Sequence, residues 1–252
     1  GYPVWWDILE KTKKSIKDKV NFKSFARSLR LHTKIAIGTT LILITFGTII
    51  FFIMEYNNPG TMGNLSLGQK IMASMFQSVT TRTAGFFTVP QENLSSDSGF
   101  ISVILMFIGG SPSGTAGGVK TVTIAMLFLA AYSIIRGKHD VEIHRRRISD
   151  FYIRKALAVI LVSTSVLFVS TVLLSVIEGG NFLDIMFETT SALATVGLSR
   201  GLTPSLSVLG KLIIIVTMYL GRIGPMSMAL AFNIKAVKGN GRHLPEENIS
   251  VG

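Results

Sequence analysis

Two stretches of the chain are apolar and free of charged residues for long enough to cross a lipid bilayer, Ile35–Met54 and Ala156–Ile177. At a rise of about 1.5 Å per residue, a helix of this length spans a hydrocarbon core of about 30 Å. A third apolar stretch, Gly99–Ile135, carries a single charge and is too long for one span but too short for two spans and a turn. Its centre, Gly109–Lys120, is too rich in glycine for a stable helix, so the pattern predicts helix, broken loop and helix.

Two shorter stretches resemble each other at a distance of 112 residues, Met75–Phe86 and Phe187–Arg200. Each is too short and too polar to span a bilayer, yet each lies between long apolar segments. The residues before them have helical spacing over Leu67–Ala84 and Phe182–Leu193. Each then ends in Thr-Ala-Gly or Thr-Val-Gly, where a helix breaks. We interpret them as two re-entrant pore segments; for the first, a short interfacial helix is the alternative.

The composition and the distribution of charge indicate a membrane protein. The chain is 48% hydrophobic and 15% charged, whereas about a quarter of the residues of a soluble domain are charged. The net charge of +11 comes from three basic clusters beside the apolar stretches, in Lys11–Lys34, Arg136–Lys155 and Lys235–Arg242. Basic clusters in such places mark the cytoplasmic side, so we do not expect nucleic acid as a partner; binding of anionic lipid or of an acidic partner is the alternative. No cysteine is present, which excludes disulfides and cysteine-bound zinc.

The order span, external turn, re-entrant segment and span occurs twice, and it places every basic cluster on one face. The predicted fold is an all-α polytopic membrane protein with tandem M1–P-loop–M2 repeats around a pseudo-fourfold pore. Two repeats cannot close such a pore, so we expect a preceding portion, whose end is Gly1–Asp7 with its two interfacial tryptophans. The predicted divisions are 1–34 (end of repeat 2 and a connector), 35–136 (repeat 3), 137–155 (a cytoplasmic connector), 156–236 (repeat 4) and 237–252 (a tail).

A dehydrated monovalent cation needs oxygen ligands, and an extended, glycine-containing backbone supplies stacked carbonyl groups. The predicted ligands are the carbonyl oxygens of two facing triplets: Thr83, Ala84, Gly85, Thr195, Val196 and Gly197. Two cations lie within apolar stretches, where a charge costs about 2.5–3.5 kcal/mol. Arg222, in the predicted span Ser207–Ile234, is either a cavity charge that limits cation occupancy or a structural clamp. Lys120 either repels cations or snorkels to the interface. Arg82 is expected to pair with a carboxylate, and Glu188 is a candidate by position.

The motifs T-T-R-T-A-G-F, A-T-V-G-L-S, G-G-S-P-S-G-T-A-G-G-V-K-T and Y-L-G-R-I-G-P resemble the Trk/Ktr/HKT superfamily of potassium transporters, most closely the membrane subunit of bacterial Ktr systems. The resemblance implies four repeats per chain, of which this sequence holds the third and fourth. It implies potassium uptake across the plasma membrane, often dependent on sodium, by a homodimer. It also implies a cytoplasmic nucleotide-binding regulatory ring, which carries the ATP or ADP.

By the same resemblance, Gly85 and Gly197 are the filter glycines, and Arg222 is the cavity arginine. Gly252 lies in a C-terminus used at the dimer interface, and the connector residues Arg145, Arg146 and Arg147 contact the regulatory ring. The intramembrane gate loop comprises Gly109, Gly110, Ser111, Pro112, Ser113, Gly114, Thr115, Ala116, Gly117, Gly118 and Lys120. The basic loops and the C-terminus are expected in the cytoplasm.

Three alternatives remain open. The first alternative is a sodium-selective member of the superfamily. The second is the potassium-binding subunit of an ATP-driven pump, which needs a separate ATPase. A membrane-embedded enzyme or sensor would use the glycine loop to bind a substrate. We do not expect an enzyme, because the two deep charges, Arg222 and Lys120, are both cationic and poor general bases. The only ligands predicted for the chain are potassium and, as the alternative, sodium, with no covalently bound cofactor.

Overall fold

The computed structural model describes residues 1–17, 21–137, 140–143 and 146–224. The predicted all-α class is confirmed, apart from one hairpin of two-residue strands. The described helices are α1 (Tyr2–Lys17), α2 (Phe22–Ser28), α3 (Leu31–Glu55), α4 (Leu67–Thr80), α5 (Ser96–Phe107), α6 (Thr121–Ile135), α7 (Asp150–Glu178), α8 (Phe182–Leu193) and α9 (Val208–Ile223), and the hairpin is β1 (Glu142–Ile143) and β2 (Arg146–Arg147).

The helices follow the apolar pattern closely. Two of them, α3 and α7, are long and apolar enough to cross a membrane, and each begins several residues before the predicted span. The broken helix is present, since α5 ends at Phe107 and α6 begins at Thr121. The second pore helix, α8, has the predicted bounds. Gly1–Asp7, the predicted end of a span, lies at the start of a helix that continues to Lys17. The end of the last predicted span lies outside the described residues.

The same pair of hydrogen bonds occurs in both predicted repeats and joins the end of α3 or α7 to a serine later in the repeat. Glu55, the last residue of α3, accepts bonds from Ser95 N at 3.0 Å and Ser95 Oγ at 2.7 Å. Glu178, the last residue of α7, accepts bonds from Ser207 N at 2.9 Å and Ser207 Oγ at 2.6 Å. Each serine is in turn the N-cap of the next long helix, α5 or α9. A carboxylate thus fixes the first and last helix of each repeat together.

The helix α4 is oriented with its polar side inward. The sequence pattern predicts an apolar stripe of Leu67, Ile71, Met75 and Val79, and all four side chains are exposed. The buried positions of this helix are Lys70, Ser74, Gln77, Ser78 and Thr80. The helical prediction is therefore confirmed. The apolar stripe lies on the exposed side of the helix in the described chain.

A cluster of buried apolar side chains lies where the two predicted repeats meet. Val103 and Met106 of α5 pack against Phe187 of α8 and against the segment after it, which includes Val196 and Leu198. This cluster sets the distance between the second pore segment and the end of α5. The loop that follows α5 is thereby placed directly below the end of α8.

The connector between α6 and α7 is partly folded. Val141 and Ile148, which flank the hairpin, pack against Ala130 of α6. Arg147 forms ion pairs with Asp140 at 2.9 Å and with Asp150 at 3.8 Å.

Candidate ion-binding site

The two predicted filter segments, Thr83–Gly85 and Thr195–Gly197, share an unusual backbone conformation. The φ angles of Thr83 and Gly85 are 73° and 78°, and those of Thr195 and Gly197 are 52° and 91°. The central residue of each segment has no positive φ. The same pattern, with a positive φ at the first and third residues, therefore occurs in both segments.

The amide groups of both segments are directed back to the pore helices. Ala84 N donates to Thr80 O at 3.1 Å. In the second segment, Val196 N donates to Ser191 O at 2.9 Å, and Gly197 N donates to the Ser191 hydroxyl at 3.2 Å. Among the described residues, no donor reaches the carbonyl oxygens of either filter segment. These oxygens are therefore free to bind a ligand.

The structure brings the two filter segments into contact. A Cβ atom on Gly85 would overlap the carbonyl oxygen of Val196 and would lie 3.2 Å from its carbonyl carbon. Only glycine allows the first segment to approach this closely. The six predicted ligands therefore form one site, in which a residue of each segment borders the other.

The gate loop packs against the base of the second filter segment. A Cβ atom on Gly117 would overlap both the carbonyl oxygen of Ala194 and the hydroxyl oxygen of Thr195. A Cβ atom on Gly118, which has a φ of 66°, would lie 3.2 Å from the Ala194 Cβ. Two glycines of the loop, Gly117 and Gly118, thus allow its close approach to the second filter segment, which the sequence pattern alone does not show.

Both deep cations bind carbonyl oxygens of the gate loop. Arg222 Nη1 donates to Thr115 O at 2.8 Å, and Lys120 Nζ donates to Ala116 O. The two side chains line a cavity of about 620 Å³ below the filter, together with most of the loop. Arg222 is thus a carbonyl clamp that also borders the cavity. Lys120 turns back onto the loop, and the choice between repelling cations and snorkelling stays a prediction.

The predicted pairing of Arg82 with Glu188 is also wrong. Arg82 donates to Thr40 O at 3.3 Å and to Gly109 O at 3.4 Å, because its side chain extends towards α3 and the start of the gate loop. Glu188 instead accepts a hydrogen bond from Ser199 Oγ at 2.7 Å and a second from the hydroxyl of Thr203. It connects the second pore helix to the segment that follows the filter.

Sequence reasoning missed the partly buried ion pair beside the second filter segment. Arg200 Nε lies 2.7 Å from Asp184 Oδ1, and its Nη1 donates to Leu94 O at 3.1 Å. Gly99 makes room for it, since a Cβ atom there would lie 2.9 Å from Arg200 Nη1. Arg200 thus connects α8 to the segment that precedes α5. The only signal in the sequence is an opposite charge 16 residues away on the same segment.

The first filter segment has an equivalent connection through two buried glutamines. Gln77 of α4 and Gln91, after the filter, exchange side-chain hydrogen bonds of 2.8 and 3.0 Å.

Three of the predicted contact residues are not placed: Arg145 and Gly252 lie outside the described residues, and only the backbone of Arg146 is described.

Comparison with known proteins gives a consistent set of matches. The family model for TrkH, described as a cation transport protein, matches residues 1–242. The Ktr system potassium uptake protein B of Bacillus subtilis is 38% identical over 100% of this chain and 54% of the relative. The protein of the same name from Vibrio alginolyticus is 42% identical over 80% of this chain and 44% of the relative. The potassium/sodium uptake protein NtpJ of Enterococcus hirae is 34% identical over 100% of this chain and 54% of the relative.

Among solved structures, the potassium transporter TrkH from Vibrio parahaemolyticus matches with a TM-score of 0.67 and 17% sequence identity, over 78% of this chain and 44% of that one. At this identity the likeness concerns the fold alone. The chain spans about half the length of the curated relatives that it matches.

Proposed function

The chain belongs to the TrkH family of cation transport proteins, and from this premise we propose that the full protein takes up potassium across the cell membrane. In this proposal the chain supplies the third and fourth of four pore repeats around a pseudo-fourfold axis. The observation that carries it is the contact between two filter segments whose carbonyl oxygens accept no hydrogen bond from the described residues.

The filter segments act as a partial replacement for the hydration shell of the cation. A potassium ion that loses water on entering the pore gains carbonyl oxygens from Thr83–Gly85 and Thr195–Gly197, and the remaining ligands come from the other two repeats. Because the amides are held by the pore helices, the carbonyl groups are fixed before the ion arrives. Such preorganisation favours the ion whose ligand distances match the site.

The gate loop is the barrier below the filter. It lies against Ala194 and Thr195, and it is held there by Arg222 and Lys120 through carbonyl oxygens of the loop. Passage of a cation requires the loop to move towards the cavity, and this motion breaks the bond between Arg222 and Thr115. The positive charges also repel a cation until the loop and its clamps have moved.

We also propose that the membrane subunit is a homodimer and that a cytoplasmic nucleotide-binding ring controls the gate. The basic connector with Arg145, Arg146 and Arg147 is the proposed contact for the ring, and Gly252 belongs to the proposed dimer contact. The ion pairs of Arg147 with Asp140 and Asp150 support a folded connector, and the name of the Ktr system relatives supports a multi-component assembly. The basic loops then lie on the cytoplasmic side.

Uptake of potassium into liposomes that contain the full-length protein tests this function. Gly197→Leu is expected to abolish uptake. Gly38→Leu, at a position of α3 where an added Cβ atom meets open space, is the control for folding. Normal uptake by a folded Gly197→Leu variant would exclude the filter assignment. Shortening the gate loop within 110–118 is expected to raise the flux, and an unchanged flux in folded protein would make the loop structural.

A sodium-selective function is the second candidate, because a relative of 34% identity is named a potassium/sodium uptake protein. The same liposomes distinguish the two candidates when they are loaded with a sodium-sensitive or a potassium-sensitive dye. A preference for potassium supports the first function, and an equal or larger uptake of sodium supports the second.

A further inference from the structure

A basic cavity lies at the start of α3, at the opposite end of this helix from Glu55. We propose that it binds the phosphate headgroup of an anionic phospholipid of the inner leaflet. The cavity has a volume of about 450 Å³, and four of its lining residues are basic: Lys11, Arg27, Arg30 and Lys34. Among the described residues, no carboxylate lines it.

The cavity has a surplus of positive charge. Arg30 lies 3.6 Å from Asp7 and 3.9 Å from Glu10, so the two nearby carboxylates are both directed at the same guanidinium. Within the described residues, Lys11 and Arg27 have no side-chain hydrogen bond or ion pair. Four basic groups therefore face two acidic ones, and the pair without internal partners is available for an anionic ligand.

The start of α3 adds positive potential to the same cavity. Helix α3 begins at Leu31, which lines the cavity. A helix of 25 residues carries a partial positive charge at this end, and Asp7 Oδ2 offsets part of it by accepting a hydrogen bond from Arg30 N at 2.9 Å. Lys34 Nζ donates to Arg27 O at 2.8 Å, which holds the short α2 segment around the cavity.

The position of the cavity favours a lipid over a soluble phosphate. The charge-free part of α3 begins at Ile35, one residue after Lys34, so the cavity lies at the level where phospholipid headgroups meet the hydrocarbon. Basic pockets at the cytoplasmic ends of membrane helices bind anionic headgroups for this reason.

The test is a titration of the full-length protein with phosphatidylglycerol and with phosphatidylcholine, read by native mass spectrometry. The test variant is Lys11→Gln with Arg27→Gln, which removes two charges that have no internal contact. Each basic group near a membrane surface contributes about fivefold in affinity, so we expect phosphatidylglycerol to bind about 30-fold more weakly. The single variant Arg27→Gln is expected to weaken binding about fivefold, and it covers the case in which the double variant fails to fold.

The matched control is Lys13→Gln with Lys14→Gln, which removes the same charge from exposed positions of α1. This control is expected to change phosphatidylglycerol binding by less than about twofold, and phosphatidylcholine binding is expected to be the same in all variants. An equal loss in the test and control variants would show only general attraction and would overturn the proposal. Complete displacement of the lipid by millimolar inorganic phosphate would assign the cavity to a soluble ligand. Unchanged lipid binding with loss of a co-purifying protein would assign it to an acidic protein partner.

Discussion

The contact between the two filter segments is tested most directly by adding one methyl group. Gly85→Ala places a Cβ atom on the carbonyl oxygen of Val196, and Gly85 has a φ of 78°. Gly201→Ala is the matched control, because Gly201 has a φ of 94° and open space where its Cβ would lie. Both variants carry the backbone strain, and only the first displaces a proposed ligand.

The two effects have different magnitudes. An alanine in the left-handed region costs about 1–2 kcal/mol, so both variants are expected to lose about this much stability. In Gly85→Ala, the carbonyl group of Val196 must also move away from its position in the filter. A hydrogen bond to a charged group contributes about 1.5–3 kcal/mol, and a displaced ligand of the cation is expected to cost a similar amount. Each 1.4 kcal/mol is a factor of ten, so potassium selectivity should fall tenfold or more.

The assay is the ratio of potassium to sodium uptake in liposomes, measured for both variants of the full-length protein at equal amounts of folded protein. Gly85→Ala is expected to lower the ratio at least tenfold, and Gly201→Ala is expected to keep it within about twofold. If both variants keep the ratio of the parent protein, the facing carbonyl groups do not select the ion. If both lower it equally, backbone strain outside the filter is sufficient, and the contact between the segments has no special role.

Five further substitutions test other contacts. Arg222→Gln removes the charged donor from the gate loop and should raise potassium leak from loaded liposomes about tenfold, by the same energy of a charged hydrogen bond. Arg200→Gln should lower the free energy of unfolding by about 2 kcal/mol, whereas Arg147→Gln, with 60% of the arginine side chain exposed, should lower it by less than about 1 kcal/mol; denaturation in detergent compares them. In the same assay Glu55→Gln should cost about 2 kcal/mol and the half-buried Glu178→Gln less, and an equal cost would contradict the role of burial.

Much of the fold can be predicted from the sequence, because each prediction depends on a local property. The bounds of α8 follow from an apolar pattern that ends in Thr-Val-Gly, and the break after Phe107 follows from a dense group of glycines. The facing of the two filter segments is predicted from the repeat itself. In each case the relevant information lies within one segment or in its copy.

The contacts of the charged side chains could not be predicted in the same way. Arg82 and Arg222 both bind backbone carbonyl groups, at Gly109 and Thr115. Every residue has a carbonyl group, so the sequence contains no signal for these acceptors, and a search for opposite charges gives Glu188 instead. Where the partner is a carboxylate, as for Arg200 and Asp184, the two charges are visible in the sequence, but their separation does not show that they meet.

The inverted polarity of α4 has a physical cause in the filter. A segment that keeps its carbonyl oxygens free for a cation forms no strand or helix of its own, so its N–H groups must be satisfied from outside. The pore helices provide the acceptors: the hydroxyl of Thr80 accepts a bond from Phe86 N at 2.9 Å, and that of Ser191 accepts one from Gly197 N at 3.2 Å. A hydroxyl side chain therefore lies on the inner face near the end of each of these helices. The apolar residues of α4 are left for its outer face, and for this reason periodicity predicts the helix but not the direction in which its apolar face points.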